Sequence, residues 1–381
     1  MRLQALTGLV SQVTQGAAAV GIILVVHEHA GSLTLAGVVV GALSIAAGVS
    51  RPVQGRLIDT RGAAGVLAVC GIVHPVALIA IAGLATVRGL GWLLIALGAL
   101  AGLALPPVST SMRAEWGALV GADERTAAYS LVYLVQELSI LIGPLILAGV
   151  IAPASASVAL ITVALVAGVG TLGFAASVHA DRTRATSLGG ARLQRRDSSA
   201  IRAGGIGVVL LVSLLVGAVI GGLEVAAPIF ATAHGSPAAS GLLIAALSVG
   251  GIIGATVYGS RHWRAAARLR LLVLLAAMTV WLAVLIAAGG LLVAGVLLLL
   301  AGTTLNPALT TLSLIVDTHV PARTAAEAFG WLSTSIAGGG GAASAIAAAL
   351  SQHRDPRAAF IVAAAAAAGA TAIAGLARRR L

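Results

Sequence analysis

Charge is what this chain has least of. Only 9% of its 381 residues are Asp, Glu, Lys or Arg, against roughly 25% in a soluble domain. Lysine is missing altogether, so all 23 basic residues are Arg. Aromatics are 3% of the chain, and there is one cysteine, Cys70. A single cysteine excludes an intramolecular disulfide. It lies in an apolar run, and nothing around it points to a metal site or redox chemistry. What is present instead is apolar and small: 59% hydrophobic residues and 48 glycines, with a mean hydropathy of +1.06. No aqueous fold of this length could hide so much apolar surface, so the solvent must be largely lipid. The abundance of Ala and Gly suits helices that approach closely inside a bilayer.

A helix needs about 20 mostly apolar residues to span a bilayer. Twelve such runs are present, at 5–26, 33–53, 64–86, 90–112, 127–151, 156–178, 205–230, 238–258, 269–288, 291–316, 325–350 and 358–377. The strict alternation of barrel strands is absent. The expected fold is therefore an all-α membrane protein of twelve spans. The first run is followed directly by more spans, so no cleavable signal peptide is expected. The longest polar stretch, 179–204, falls midway with six spans on either side and reads as a linker. It divides the chain into 1–178 and 205–381.

The net charge of +11 could suggest nucleic acid, but its distribution argues for membrane orientation. With the N-terminus placed in the cytoplasm, 20 arginines fall on inside segments. Only Arg88, Arg354 and Arg357 remain outside. This asymmetry is a positive-inside signal and places both termini inside. The halves also answer each other. "PPVSTSM…RTAAYS" matches "NPALTTL…RTAAEA", pairing Pro107 with Pro307, Thr110 with Thr310 and Arg125 with Arg323. A parallel six-plus-six repeat is a transporter architecture, two pseudo-symmetric six-helix bundles with a site between them.

One charged cluster, "SRPVQGRLIDTRG" at 50–62, has about twenty uncharged residues on each side and is expected to form the short inner loop between spans two and three. Here the sequence resembles the major facilitator superfamily, whose loop at this place has the form Gly-x-Leu-x-Asp-x-x-Gly followed by basic residues. Gly55, Leu57, Asp59 and Gly62 fit, with Arg56 and Arg61 among them; Thr60, Ala63 and Ala64 stand where basic residues are usual. The resemblance implies a gate in which these charges pair with inner helix ends, with Arg113, Arg323 and Glu327 as partners. "ELSILIGPLILAG" carries the Gly143-Pro144 core of a motif typical of exporters in that family, with Ser139 where a further Gly is expected. Spans seven and eight resemble a bacterial, largely actinobacterial, group of members of unassigned substrate. The family implies that spans one, four, seven and ten line a cavity. Drug exporters of the family carry a buried Arg in span four, which the sequence reading does not find here.

Polar residues fall where such a cavity would be. Gln4, Ser11 and Gln15 share a face of span one. Thr303, Asn306, Thr310 and Ser313 share a face of span ten, and Ser130, Tyr133, Glu137 and Pro144 a face of span five. The alternative for such stripes is contact between helices. Glu137 and Glu224 are carboxylates within spans, and an intramembrane carboxylate is costly enough to mark a proton or substrate path by default. The competing reading for each is a hydrogen-bonded structural acid, or a partner for Arg113 or another gate arginine. His74, before Pro75, reads as a structural histidine. "HEH" at 27–29 is no metal pair, since i and i+2 do not share a helix face, and "GGGG" at 338–341 lacks the other parts of a phosphate-binding loop. No cofactor and no metal is expected.

Together these features describe a monomeric, multi-pass transporter of the bacterial cytoplasmic membrane. It would export a small amphipathic or hydrophobic substrate in exchange for protons by alternating access. Uptake or facilitated exchange on the same fold stands as the alternative, and a non-transporting sensor as a further one.

Overall fold

The computed structural model describes residues 2–87, 89–187, 200, 205–353 and 357–377. Arg88, Arg354, the C-terminal arginines 378–380 and most of the linker lie outside them. Fourteen helices follow in order: α1 Arg2–Ser11, α2 Val13–Ala30, α3 Leu33–Arg61, α4 Ala63–Leu84, α5 Gly91–Leu103, α6 Val108–Leu119, α7 Arg125–Ile151, α8 Ala156–Ser187, α9 Ile206–Ala233, α10 Ala239–Gly259, α11 Ala267–Ile286, α12 Leu291–His319, α13 Ala325–His353 and α14 Ala358–Leu376. No strand occurs among the described residues. Among the described residues, eleven helical segments are long and apolar enough to cross a membrane. The twelfth, α13, has the length, at 29 residues, but four consecutive glycines and several serines dilute its hydropathy.

Three departures from the sequence expectation stand out. Span one is two helices, α1 and α2, interrupted at Gln12 (φ −88°, ψ 1°). Span four is likewise two, α5 and α6, separated by Ala104–Pro107. Pro106 and Pro107 remove two successive backbone donors, and a helix cannot run through both. Third, the charged cluster 50–62 is not a loop. α3 continues unbroken to Arg61, and Gly62 alone links it to α4, with φ +91°. That backbone conformation favours glycine, which explains the last residue of the cluster. Arg51 is consequently an intrahelical residue. α8 also runs nine residues beyond the expected end of span six.

By contact the chain forms two units. The first comprises Met1–Glu115 and Val135–Asp197, the second Trp116–Leu134 and Ser198–Leu381. The segment Trp116–Leu134 belongs by sequence to the first half yet packs with the second.

Within each unit the helices pair in the same way. In the first, α3 lies against α5, α4 against α8, and α1 and α2 against α8. In the second, the corresponding pairs are α10 with α12, α11 with α14, and α9 with α14. Glycine makes these approaches possible at matching places. A Cβ on Gly98 or Gly102 would strike the carbonyls of Val39 or Leu43, and one on Gly250 or Gly254 those of Leu299 or Thr303. Gly143 meets the carbonyl of Val13, as Gly217 meets that of Ile336. Small residues carry such contacts because lipid supplies no hydrophobic force between helices. Large apolar residues such as Ile45, Val169 and Leu292 are left exposed, at 71%, 70% and 82%, as a lipid-facing surface requires.

Candidate functional site

In the first unit, polar groups gather at the two helix breaks. At the break of span one, the Gln12 backbone N–H is shared between the carbonyls of Gly8 and Leu9, both at 3.2 Å. Its side-chain amide also donates to Gly8, at 3.2 Å. Gln15, half-buried, donates to the Gln12 side chain at 3.1 Å. Thr14 is buried, and its hydroxyl has no hydrogen-bond partner among the described residues. Ser11 is buried and hydrogen-bonded to Thr171 of α8. Gln4, also buried, donates to Asp181 of α8 at 3.0 Å. Of the three span-one candidates, Gln4 and Ser11 thus hold α1 to α8, and Gln15 stays at the break.

The break of span four is closed by α3. Arg51 donates to the carbonyls of Leu105 and Pro106, at 3.4 and 3.1 Å. Gln54 donates to those of Leu103 and Leu105, at 2.8 and 3.2 Å. These carbonyls lose their helical partners where the prolines intervene, and an unpaired carbonyl away from water is costly. His74 of α4 completes the ring: its Nδ1–H donates to Ala101 at 2.8 Å. The expectation of an inner loop at Arg51 is corrected: it is a half-buried tie between two spans. Arg113 in α6 is only 2% exposed, so the expectation that span four lacks a buried arginine is corrected too. Arg56 and Arg61 are exposed, Leu57 and Asp59 half-buried, and Gly55 buried.

In the second unit, a polar seam joins the start of α7 to α12. Arg125 pairs with Asp317 at 2.6 Å. Ser130 donates to Thr310 at 3.5 Å, and Tyr133 and Ser313 share a hydrogen bond of 3.1 Å. Tyr258 of α10 bonds Thr311 at 2.7 Å, and Gly259 lets α10 close on Ser130. Beneath the seam, Tyr129 meets Phe329 of α13 edge to face at 5.8 Å. Thr310 is fully buried and Asn306 2% exposed. The structure therefore brings together Tyr133, Thr310 and the rest of the span-ten stripe. Asp317 was missed from sequence. Its signal was present, because positions 303, 306, 310, 313 and 317 follow one helical face, and the reading stopped at Ser313.

The remaining candidates are dispersed. Glu327 is 6% exposed in the first turn of α13, and Arg323 is exposed in the turn before it. Glu137 is half-buried in the first unit. Glu224 is exposed on α9 and makes no ion pair among the described residues. The glycines one and two turns before it, Gly221 and Gly217, hold α9 against α13. No group of three or more metal-ligating side chains occurs among the described residues.

Helices paired identically in two units, each with buried polar ties and close glycine contacts, define a membrane transporter of repeated six-helix bundles. The profile of the Major Facilitator Superfamily matches residues 5–344, and the chain belongs to that family. No curated protein matches the sequence. Among solved structures, a bacterial homologue of the iron transporter ferroportin, in an outward-facing state, superposes with a TM-score of 0.82 at 16% identity, covering 99% of each chain. The human organic anion transporter MFSD10 gives 0.75 at 14% identity, covering 98% of this chain and 99% of its own. The E. coli fucose:proton symporter gives 0.69 at 14% identity, covering 100% and 97%. At these identities the likeness establishes the fold alone.

Proposed function

We propose that this protein is a proton-coupled exporter of a small amphipathic or hydrophobic compound, working by alternating access in the bacterial cytoplasmic membrane as a monomer with both termini inside. In this reading the sequence halves 1–178 and 205–381 are the moving bodies and 179–204 is their linker. The observation that carries it is the seam between α7 and α12. Through it, segment 116–134 of the first half is held to the second by the Arg125–Asp317 ion pair and a row of hydroxyls. Such contacts are directional and exchangeable for water, so they can hold one state and release another. The charges of Asp59, Arg56, Arg61, Arg113, Arg323 and Glu327 belong to the same gate.

Proton coupling is assigned to Glu224, with Glu137 second. Glu224 lies within a span and makes no ion pair among the described residues, which suits it to carrying a proton rather than holding a charge pair. Cavity lining is assigned to Gln4, Ser11, Gln15, Tyr133, Asn306 and Thr310. The export direction rests on Gly143-Pro144 and on the buried Arg113 of span four.

Uptake is the second reading, since a fucose:proton symporter and a proton:xylose symporter share the fold. Everted vesicles with an acidified interior and a pH-sensitive dye separate the two. A panel of lipophilic cations, antibiotics, sugars and other metabolites is added to wild type, Glu137→Gln and Glu224→Gln. The proposal expects compounds that dissipate the gradient in wild type, with the response lost in Glu224→Gln at equal expression. A full response in both variants removes the carboxyl roles. Radiolabelled solute moving down its gradient with no proton flux removes the coupling.

A further inference from the structure

The seven residues between α10 and α11 and the first turn of α11 carry a positive charge that nothing in the transport reading uses. Arg261, Arg264, Arg268 and Arg270 fall within ten residues, and no Asp or Glu occurs between Glu224 and Asp317. Arg261, Arg264 and Arg268 are exposed and make no ion pair among the described residues. The segment is nevertheless ordered by specific contacts. Arg270 stacks over Tyr258 and Trp263, at 5.6 and 5.8 Å from their ring centroids. The two rings lie 4.8 Å apart, and the Trp263 indole N–H donates to the Tyr258 carbonyl at 2.9 Å. Arg270 thus pins the connection, turning the three exposed arginines outward. On either side the helices present apolar residues at the same end: Val257 of α10, and Leu269 and Val273 of α11, exposed at 45%, 54% and 59%. Trp263, 38% exposed, is the residue type that settles at the headgroup level.

We infer that this connection is a binding site for the headgroup of an anionic phospholipid. Arg261, Arg264 and Arg268 would hold its phosphate, and the acyl chains would lie along Val257, Leu269 and Val273. A guanidinium offers paired N–H groups that match phosphate oxygens, and basic residues immediately beside a span attract anionic lipid. The apolar flank selects a lipid over a free anion. A basic segment serving only to orient the chain would need neither the stacked Arg270 nor a Trp fixed beside the charges.

The test uses purified full-length protein, delipidated in neutral detergent and titrated with phosphatidylglycerol, phosphatidylcholine or inorganic phosphate while thermal unfolding is followed. Phosphatidylglycerol is expected to raise the unfolding temperature saturably, and the other two are not. In Arg264→Gln/Arg268→Gln the apparent affinity falls about thirtyfold, at roughly fivefold per arginine lost near the membrane surface. Arg56→Gln/Arg61→Gln, which removes the same charge elsewhere, retains the response. Equal stabilisation by phosphatidylcholine or by phosphate overturns the inference. So does a wild-type response in Arg264→Gln/Arg268→Gln, or an equal loss in both double variants.

Discussion

Arg125 and Asp317 form an ion pair whose side chains are 33% and 14% exposed, so neither is fully screened nor fully desolvated. Removing one partner strands the other. A fully buried pair broken in this way costs about 3–5 kcal/mol; here solvent reduces the expected cost to about 1–3 kcal/mol. Arg125→Gln and Asp317→Asn should each lower the unfolding temperature, and the double variant should lose less than the sum of the two. A strictly additive result in that cycle would mean that the pair does not interact in solution. Gln54 makes a second residue-scale case. Its amide donates to two carbonyls at the break of span four, and Gln54→Leu leaves the Leu103 carbonyl without that donor. The expected loss is about 1–3 kcal/mol, read as a lower unfolding temperature; an unchanged value would show that another donor takes its place. Neither Arg51 nor Asp317 was read correctly from sequence, for different reasons. Arg51 sits among charges whose density suggested a loop, and only the structure supplies the carbonyls that make a half-buried arginine tolerable there. Asp317 continues a visible periodicity, but its position at the end of an apolar run concealed it.

At the scale of elements, glycine decides which helices meet. Gly221 faces the Gly340 carbonyl across α9 and α13, whereas Gly241 has nothing within 4 Å. Gly221→Ala is expected to force these helices apart and cost about 1–3 kcal/mol, as overpacking does. Gly241→Ala should be neutral or slightly stabilising, because alanine is the better helix former. Equal unfolding temperatures for the two variants would mean that α9 and α13 are not in tight contact. Helix existence was legible in length and composition for all twelve runs, although α13 falls short in hydropathy. Helix interruptions were not. The break at Pro106-Pro107 has a local cause that the apolar window averages away. The break at Gln12 has no proline or glycine at the turn itself and depends on side-chain amides competing with the backbone. The run "GRLIDTR" reads as polar and therefore as loop, yet it is the last two turns of α3.

For the whole molecule, the repeat of short motifs in the sequence corresponds to a repeat of helix pairings in the structure, and the family follows from the profile match over residues 5–344. Which residues meet was less legible, because stripes on separate spans carry no information about their partners. Two residues of the span-ten stripe, Thr310 and Ser313, are covered by Ser130 and Tyr133 of α7. If that cover is a gate, it must open in each transport cycle. Cys70 is the only cysteine, so Cys70→Ser provides a cysteine-free background in one step. In that background Arg125→Cys/Asp317→Cys places a thiol on each side of the seam for a short bifunctional thiol reagent. Transport of whichever compound collapses the proton gradient is then followed before crosslinking, after it, and after reductive release. Transport is expected in the uncrosslinked variant, with arrest on crosslinking and recovery on release. Undiminished transport with the seam covalently closed would contradict the gate.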